Sequence, residues 1–585
     1  AFMEGIVGRF FFQYGLAIVF SVSVSLLVAL TLSPMLASRF LKSEKEKTGW
    51  LGKIEIFHEI MRMRYEQLVG WSIRRRYLVF LGAIISLVIG GLFAAMVPAT
   101  FMALTDRSEF LASVELPLGT GIATAKEASL RADEALRNID DVEYVFVTIG
   151  AGTNQKTNLL DFYFDLSPKQ GRSVEQGAIM DQAREVLAKT LPEATDISVV
   201  EVPWVSGAGV GSAQIELIIS GSDLTTINEY ANIIAEEMRA TPELVDVAST
   251  YEGGRPELQI RLDRNRAADL GVTARDVAAA SRTLIGGSDA GTFEADGRRY
   301  DVRVRVDEDK RQTLNDIARL PVRSGSGSLV DLAAVADIEV ADSPAQIDRV
   351  DRARQITVMA NTPPGVALSV AVGQVEEILI NNPPPEGMST KMEGMARRLA
   401  DTTSAILLAF ALAFVALYIV LASQFNSFGQ PVLIMLTAPL SFSGAFVALW
   451  LSNQELSMFA QIGMIALMGI VMKNGILLVD LANEYRRGGM GAAEAMQKAA
   501  PERLRPVLMT ALAAIFGMMP VAFAQSDGAE WRNAMGFIIM GGLATSTFLT
   551  LLVVPAAYAL PDDYARLKTR VRAKLSGRSW KERRA

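Results

Sequence analysis

The sequence predicts an α-helical membrane bundle joined to an external α+β domain. Three observations predict it. Half of the 585 residues are hydrophobic, more than a soluble chain carries and less than an all-membrane one. Seven apolar stretches are long enough to span a bilayer, at about 11–36, 77–97, 400–421, 431–451, 459–482, 507–524 and 535–560. Between the second and third lie roughly 300 residues of ordinary soluble composition. The net charge of −7 is segregated by region and gives no reason to expect a nucleic-acid partner. There is no cysteine, hence no disulfide framework and no thiolate metal site.

Basic residues orient the spans. Arg39, Lys42, Lys45, Lys47, Arg62, Arg64 and Arg74 to Arg76 lie between spans one and two. Arg486, Arg487, Lys498, Arg503 and Arg505 lie between spans five and six, and nine more basic residues fill the tail from Arg566 to Arg584. All three regions fall on one side, expected to be cytoplasmic, which puts the soluble region outside. The stretch 53–76 reads as a basic amphipathic helix on the cytoplasmic membrane face, with Ile56, Ile60, Met63 and Leu68 as its apolar stripe. His58, the lone histidine, reads as a surface passenger.

The external region alternates strands and helices. SEFLASVELP, VEYVFVTIG, LLDFYFDLS and DISVVEV read as strands, with helices after the first and third. The order βαββαβ is the ferredoxin-like split unit. A second such unit opens at AQIELIISG, breaks off after VDVASTY and resumes at ITVMANT. The small α+β insert between holds a hairpin around Asp296–Gly297. The fold class is therefore seven transmembrane helices, two ferredoxin-like units and one small α+β insert.

Lys473 is the residue that points to function. It lies in the apolar run from Phe459 to Ala482, fourteen residues from one end and nine from the other. That puts it roughly 14 Å from either surface. A charge at that depth costs a few kcal/mol or more unless neutralised, and such residues mark ion or proton pathways. This chain offers no carboxylate at that depth: Asp480 is about 10 Å further along the helix axis, near its end, and Glu455, Asp527 and Glu530 lie in short loops. The first span ends LLVALTLSPMLASRF and the last FLTLLVVPAAYALPDD, a weak repeat that suggests duplication. On that reading the first span is the last helix of an earlier half, which carries the missing carboxylates. Asn474 beside Lys473, and Arg503 and Thr510 two helical turns apart, are expected to share a wet seam with it.

These residues sit in VMKNGILLVDLANEYR and ERLRPVLMTALAAIFGMMPV. With ASQFNSFGQPVLIMLTAPLSFSGA and LDRNRAADLGVTARDVAAASRTLIGG, they resemble the resistance–nodulation–division (RND) efflux pumps, as the C-terminal half of one, in the hydrophobe and amphiphile (multidrug) branch. The resemblance implies a homotrimeric proton/drug antiporter of the bacterial inner membrane, not an enzyme and without cofactor. Its partners would be a periplasmic adaptor, an outer-membrane channel, protons, hydrophobic small-molecule substrates and an N-terminal half bearing the relay aspartates. It assigns the relay to Lys473, Asn474, Arg503 and Thr510. It divides the chain into a last helix of the N-terminal half (1–40), a cytoplasmic linker with an interfacial helix (41–76), a transmembrane helix (77–98) and a first porter subdomain (106–205). A second porter subdomain (206–257 and 345–397) holds a docking insert (258–344), and a five-helix bundle (398–560) and a basic tail (561–585) close the chain. The loop 150–158 matches a flexible loop between two substrate pockets, which points to Gly150, Gly152, Asn154 and Asn158, with Phe162 and Phe164 facing the cleft. This loop lacks the phenylalanine of better-known drug pumps.

Other classes fit less well. G-x-x-x-x-G-K-[ST] is absent, which argues against a primary pump, and no G-x-S-x-G supports a hydrolase. A metal-efflux pump of the same type remains an alternative; it would want methionines or carboxylates converging in the porter cleft, whereas most of Met180, Met238, Met359, Met388, Met392 and Met395 lie at helix or strand positions where methionine is ordinary core. A membrane-anchored scaffold without transport has no use for Lys473.

Overall fold

The computed structural model describes residues 5–40, 50–150, 156–172, 174–202, 213–251, 253, 255–343 and 346–560. The chain opens with α1 (Gly5–Leu30) and α2 (Leu32–Phe40), one apolar rod broken at Thr31. Pro34 has no N–H to offer the Leu30 carbonyl, so the ladder fails there. Next come α3 (Trp50–Arg74) and α4 (Arg76–Met96).

The external region begins with β1 (Glu109–Glu115), α5 (Ile122–Leu136), β2 (Val142–Ile149), β3 (Leu159–Leu166), α6 (Gln176–Thr190) and β4 (Asp196–Glu201). The four strands form an antiparallel sheet in the order β2-β3-β1-β4. Alternate residues of β1 and β3 are buried, Phe110, Ala112 and Val114 against Leu160, Phe162 and Phe164, and α5 and α6 complete this core. A second sheet follows with β5 (Ile215–Gly221), α7 (Leu224–Arg239) and β6 (Val245–Ser249).

The chain then leaves that sheet through β7 (Arg255–Leu262), α8 (Arg264–Asp269), α9 (Ala274–Ser281), β8 (Ser288–Ala295), β9 (Arg298–Val304), α10 (Leu314–Ala318), β10 (Pro321–Arg323), β11 (Leu329–Asp331), α11 (Leu332–Val335) and β12 (Ala336–Ser343). β7 and β12 pair along their whole length and make a two-stranded stem for the excursion. β8 and β9 form an exposed hairpin whose turn residues Asp296 and Gly297 both have positive φ, 51° and 70°. That pair of angles matches the right-handed twist of a two-residue hairpin.

The chain returns through β13 (Asp348–Val350), β14 (Ala353–Asn361), α12 (Leu368–Asn381) and β15 (Ser389–Glu393). The second sheet runs β13-β14-β5-β15, with β6 also on β14. One buried carboxylate ties the two sheets together. Asp246 accepts from Arg184 Nε (2.7 Å), the Val199 amide (3.0 Å) and Asn361 Nδ2 (3.2 Å).

Gly394, at φ 73°, turns β15 into α13 (Gly394–Phe425). Then follow α14 (Gly429–Met435), α15 (Thr437–Leu451), α16 (Met458–Arg487), α17 (Ala492–Ala522) and α18 (Glu530–Tyr558). Among the described residues, seven helical segments are long and apolar enough to cross a membrane, α1–α2 and α14–α15 each counting as one. The second break, at Leu436, again lies three residues before a proline, Pro439. α18 packs on α15, α16 and α17. It meets α15 backbone to backbone: a Cβ on Gly541 would come 2.6 Å from the Gly444 carbonyl oxygen, and one on Gly444 2.4 Å from that of Gly541.

The amphipathic helix α3 divides its apolar residues between two surfaces. Ile56, Ile60, Met63 and Leu68 are exposed, whereas Tyr65, Val69, Ser72 and Ile73 are buried, and α3 packs on α17 and α18. The Tyr65 hydroxyl donates to the Leu551 carbonyl at 2.9 Å. Two stripes of the helix are apolar, and periodicity alone does not say which one meets protein.

Candidate functional site

Helix α16 carries the deep lysine. Ser457 caps it, accepting from the Ala460 amide at 3.3 Å, and the helix then runs unbroken for 30 residues. Its inner face, Gln461, Met464, Leu467, Val471, Asn474, Leu478 and Ala482, is buried. Its outer face exposes Gly469, Ile470, Lys473 and Asp480. Lys473 therefore points away from the helices packed around α16. Among the described residues it has no ion-pair partner.

Asn474 is turned the other way. It is buried, and its Nδ2 donates to Thr547 Oγ1 of α18 at 3.4 Å, while Thr547 donates to the Leu543 carbonyl at 2.7 Å. One residue of helix is about 100° of rotation, so Lys473 and Asn474 serve different surfaces. The expected single seam of four residues does not form around Asn474. On α17, Arg503 and Thr510 are both half-buried. Thr510 Oγ1 donates to the Val507 carbonyl of its own helix at 3.1 Å, and Arg503 Nε is buried without a hydrogen-bond partner among the described residues.

The expected substrate loop divides. Gly152 and Asn154 lie outside the described residues. Gly150, at φ 73°, donates its amide to the Leu159 carbonyl at 2.9 Å and closes the loop at its base. Asn158 is buried, and its Nδ2 donates to the Leu116 carbonyl at 3.0 Å and to Glu115 Oε1 at 3.2 Å. It is a structural pin between β1 and β3. Phe162 and Phe164 do not line a cleft: both are fully buried beneath α5 and α6, and Phe164 stacks on Phe110 at 4.1 Å. Tyr163, on the opposite face of the strand, donates to Glu109 Oε2 at 2.6 Å.

Three polar groupings escaped sequence reasoning. Gln430 and Asn483 exchange amide hydrogen bonds of 3.0 and 2.9 Å, and the Tyr558 hydroxyl donates to Asn483 Oδ1 at 2.6 Å, which ties α14, α16 and α18 at one end. Glu455, between α15 and α16, lines a cavity of about 20 Å³ with Thr100, Gln214, Thr362 and Met395, and burial pushes its carboxyl up to about 7. Glu201, at the end of β4, accepts from the Thr105 amide (2.9 Å) and hydroxyl (3.3 Å), and burial pushes it up to about 8. Each needs chain segments far apart in sequence. The one available signal was an acidic residue beside a span end.

Residues 1–562 match the AcrB/AcrD/AcrF family. The chain is 28% identical over 565 residues to the multidrug resistance protein MdtC of Proteus mirabilis, covering 96% of this chain and 54% of that one. It is 27% identical over 570 residues to an uncharacterized transporter of Haemophilus influenzae, with the same coverage. A crystal structure of a heavy metal efflux pump superposes with a TM-score of 0.78 at 25% identity, covering 86% of this chain and 52% of that one. The chain thus spans about half the length of the relatives it matches. With its apolar helices, its β-rich external region and a family match over all but the last residues, the chain belongs to the AcrB/AcrD/AcrF family of RND inner-membrane transporters.

Proposed function

We propose that the chain is the C-terminal half of a proton-driven RND efflux transporter that moves hydrophobic or amphiphilic compounds out of the periplasm and inner membrane. The observation that carries this reading is Lys473. It is a cation at mid-span on the exposed face of α16, with no ion-pair partner among the described residues. A lysine left bare in hydrocarbon is costly, so that face requires a carboxylate from another segment. The first half of the transporter supplies it. Loading and release of a proton between that carboxylate and Lys473 change the charge the interface must hold, and Arg503 and Thr510 on α17 extend the route toward the cytoplasmic side.

In this reading 106–205 and 206–257 with 345–397 are porter subdomains of ferredoxin-like fold, and 258–344 is a docking insert. Seven helices cross the membrane. The assembly is a homotrimer that meets a periplasmic adaptor and an outer-membrane channel. MdtC supports drugs as cargo. The structural likeness to a heavy metal efflux pump favours metal ions as a second reading. Transport assays on the assembled protein in proteoliposomes, with a lipophilic dye and with silver or copper ions as alternative cargoes, test both. A pH gradient should drive dye export and Lys473→Met should abolish it. Metal export alone establishes the second reading, and export of either cargo without a proton gradient overturns the coupling.

A further inference from the structure

A cluster of charge lies where the first sheet meets the last membrane helix. The segment leading into β1 places Thr105 and Asp106 there, both close to α18. The Gly528 amide donates to the Asp106 carbonyl at 3.2 Å and Trp531 Nε1 to the Ala103 carbonyl at 3.0 Å. Asp106 forms an ion pair with Arg172, whose side chain is 1% exposed, and also accepts from the Gln176 amide at 3.3 Å. Glu530, in the first turn of α18, pairs through Oε1 with Lys169, and its Oε2 is buried with no hydrogen-bond partner among the described residues. Glu201 completes the group from β4, with both oxygens on Thr105.

The charges do not balance. Asp106, Glu201 and Glu530 are three carboxylates; Lys169 and Arg172 are two cations. The neighbouring charges do not make up the difference. Arg107 is committed to Glu109 at 2.5 Å, Arg532 lies beside Tyr14, and Glu175 and Asp527 are exposed. A third negative charge in this half-buried group, with no cation to match it among the described residues, is costly, and one proton removes it.

We propose that this cluster is a proton-binding site on the external side of the membrane helices, that Glu201 carries the proton, and that its loss loosens the joint between the first sheet and α18. The proton comes from external solvent. Burial, with the fields of Glu530 and Asp106 added, holds Glu201 protonated to about 8. A protonated Glu201 brings the cluster to neutrality. Ionised, Glu201 repels Glu530 and strains the contacts that hold α18 to residues 103–106. The site is separate from Lys473 and stands whether or not transport is proton-driven.

Hydrogen exchange on the membrane-reconstituted protein tests the proposal, read at the Thr105 and Gly528 amides and corrected for intrinsic base catalysis. Protection should fall about tenfold between pH 7 and 9 in the unmodified protein. In Glu201→Gln, which is neutral at every pH, it should stay flat. No fall in the unmodified protein, or an equal fall in Glu201→Gln, overturns the proposal. Should Glu201→Gln fail to fold, Glu530→Gln decides. Removing that charge, and freeing Lys169, should move the midpoint down by about one pH unit, and an unmoved midpoint overturns it as well.

Discussion

Two regions of this chain keep charge away from water, and they solve the problem differently. In α16, Lys473 faces outward from its own helix bundle with nothing described to neutralise it. At the joint beneath the first sheet, Asp106 and Glu530 are each matched by a cation drawn from the segment between β3 and α6. The contrast separates two uses of buried charge. A fully paired ion pair fixes geometry. An unpaired one defines a surface that must be completed, and whatever completes it can be made to depend on a proton. The first sort should reveal itself in stability, the second in activity.

Lys473→Met is the sharpest way to break the comparison, and carries the largest expected effect. Transport by the assembled protein should fall by more than about a hundredfold, the scale of losing a charge that is itself the coupling group. The protein should still fold and assemble, because Lys473 makes no contact that holds α16 to the helices described around it. A large loss of stability with proportionate loss of transport would instead make Lys473 a structural cation. Arg172→Met should do the reverse. It leaves Asp106 buried and unpaired, at a cost of about 3 kcal/mol. Limited proteolysis of the 103–110 segment measures it. The double variant Arg172→Met with Asp106→Leu should recover much of the loss, since replacing both partners is far cheaper than orphaning one.

A smaller effect is expected on α17. Arg503→Ala should slow transport about tenfold, and Thr510→Ala only about threefold, in keeping with a charged against a neutral hydrogen-bonding group. Proteoliposome flux checks both. Thr510 already spends its hydroxyl on the Val507 carbonyl, so an effect equal to that of Arg503 would show that this bond breaks during the cycle.

What the sequence disclosed follows the range of the interaction. Each of the seven apolar stretches coincides, to within two residues at its ends, with part of a helix long and apolar enough to cross a membrane, because run length is a local property. Lys473 stood out because a charge in such a run violates a local rule. Period-two alternation gave β3 its strand. It did not say which face α5 and α6 would cover, and Phe162 and Phe164 proved to be core where cleft was expected. Asn474 was grouped with Lys473 by adjacency, yet on a helix adjacent residues face different ways. The cluster at the joint joins Thr105 to Glu201 across 96 residues and Lys169 to Glu530 across 361, and no local pattern announces such meetings.

Glu455 provides a control for the joint, with the smallest expected effect. It too is a carboxyl where the external region meets the membrane helices, raised to about 7. Burial alone raises it, whereas Glu201 also feels two neighbouring carboxylates. The cavity it lines with Thr100, Gln214 and Thr362 has room for about one water, which can hydrate the anion when the proton leaves. The folded form binds the proton more tightly than an unfolded chain, where a glutamate titrates near 4.5. Stability from this group is therefore fully present at the acid end and lost as pH rises from about 4.5 through 7. The local reporters are the Leu456 amide, which donates to the Pro98 carbonyl at 2.9 Å, and the Met458 amide, which donates to Phe101 at 3.2 Å. Their exchange protection should weaken only about threefold between pH 5 and 8, because the water and the absence of a like charge soften the change. Glu455→Gln should remove that dependence and leave the response at Thr105 and Gly528 intact. If the two sets of amides instead lost protection together, with one midpoint that either Glu201→Gln or Glu455→Gln abolished, the two joints would be a single coupled titration, and the distinction between a paired cluster and a lone carboxyl would fail.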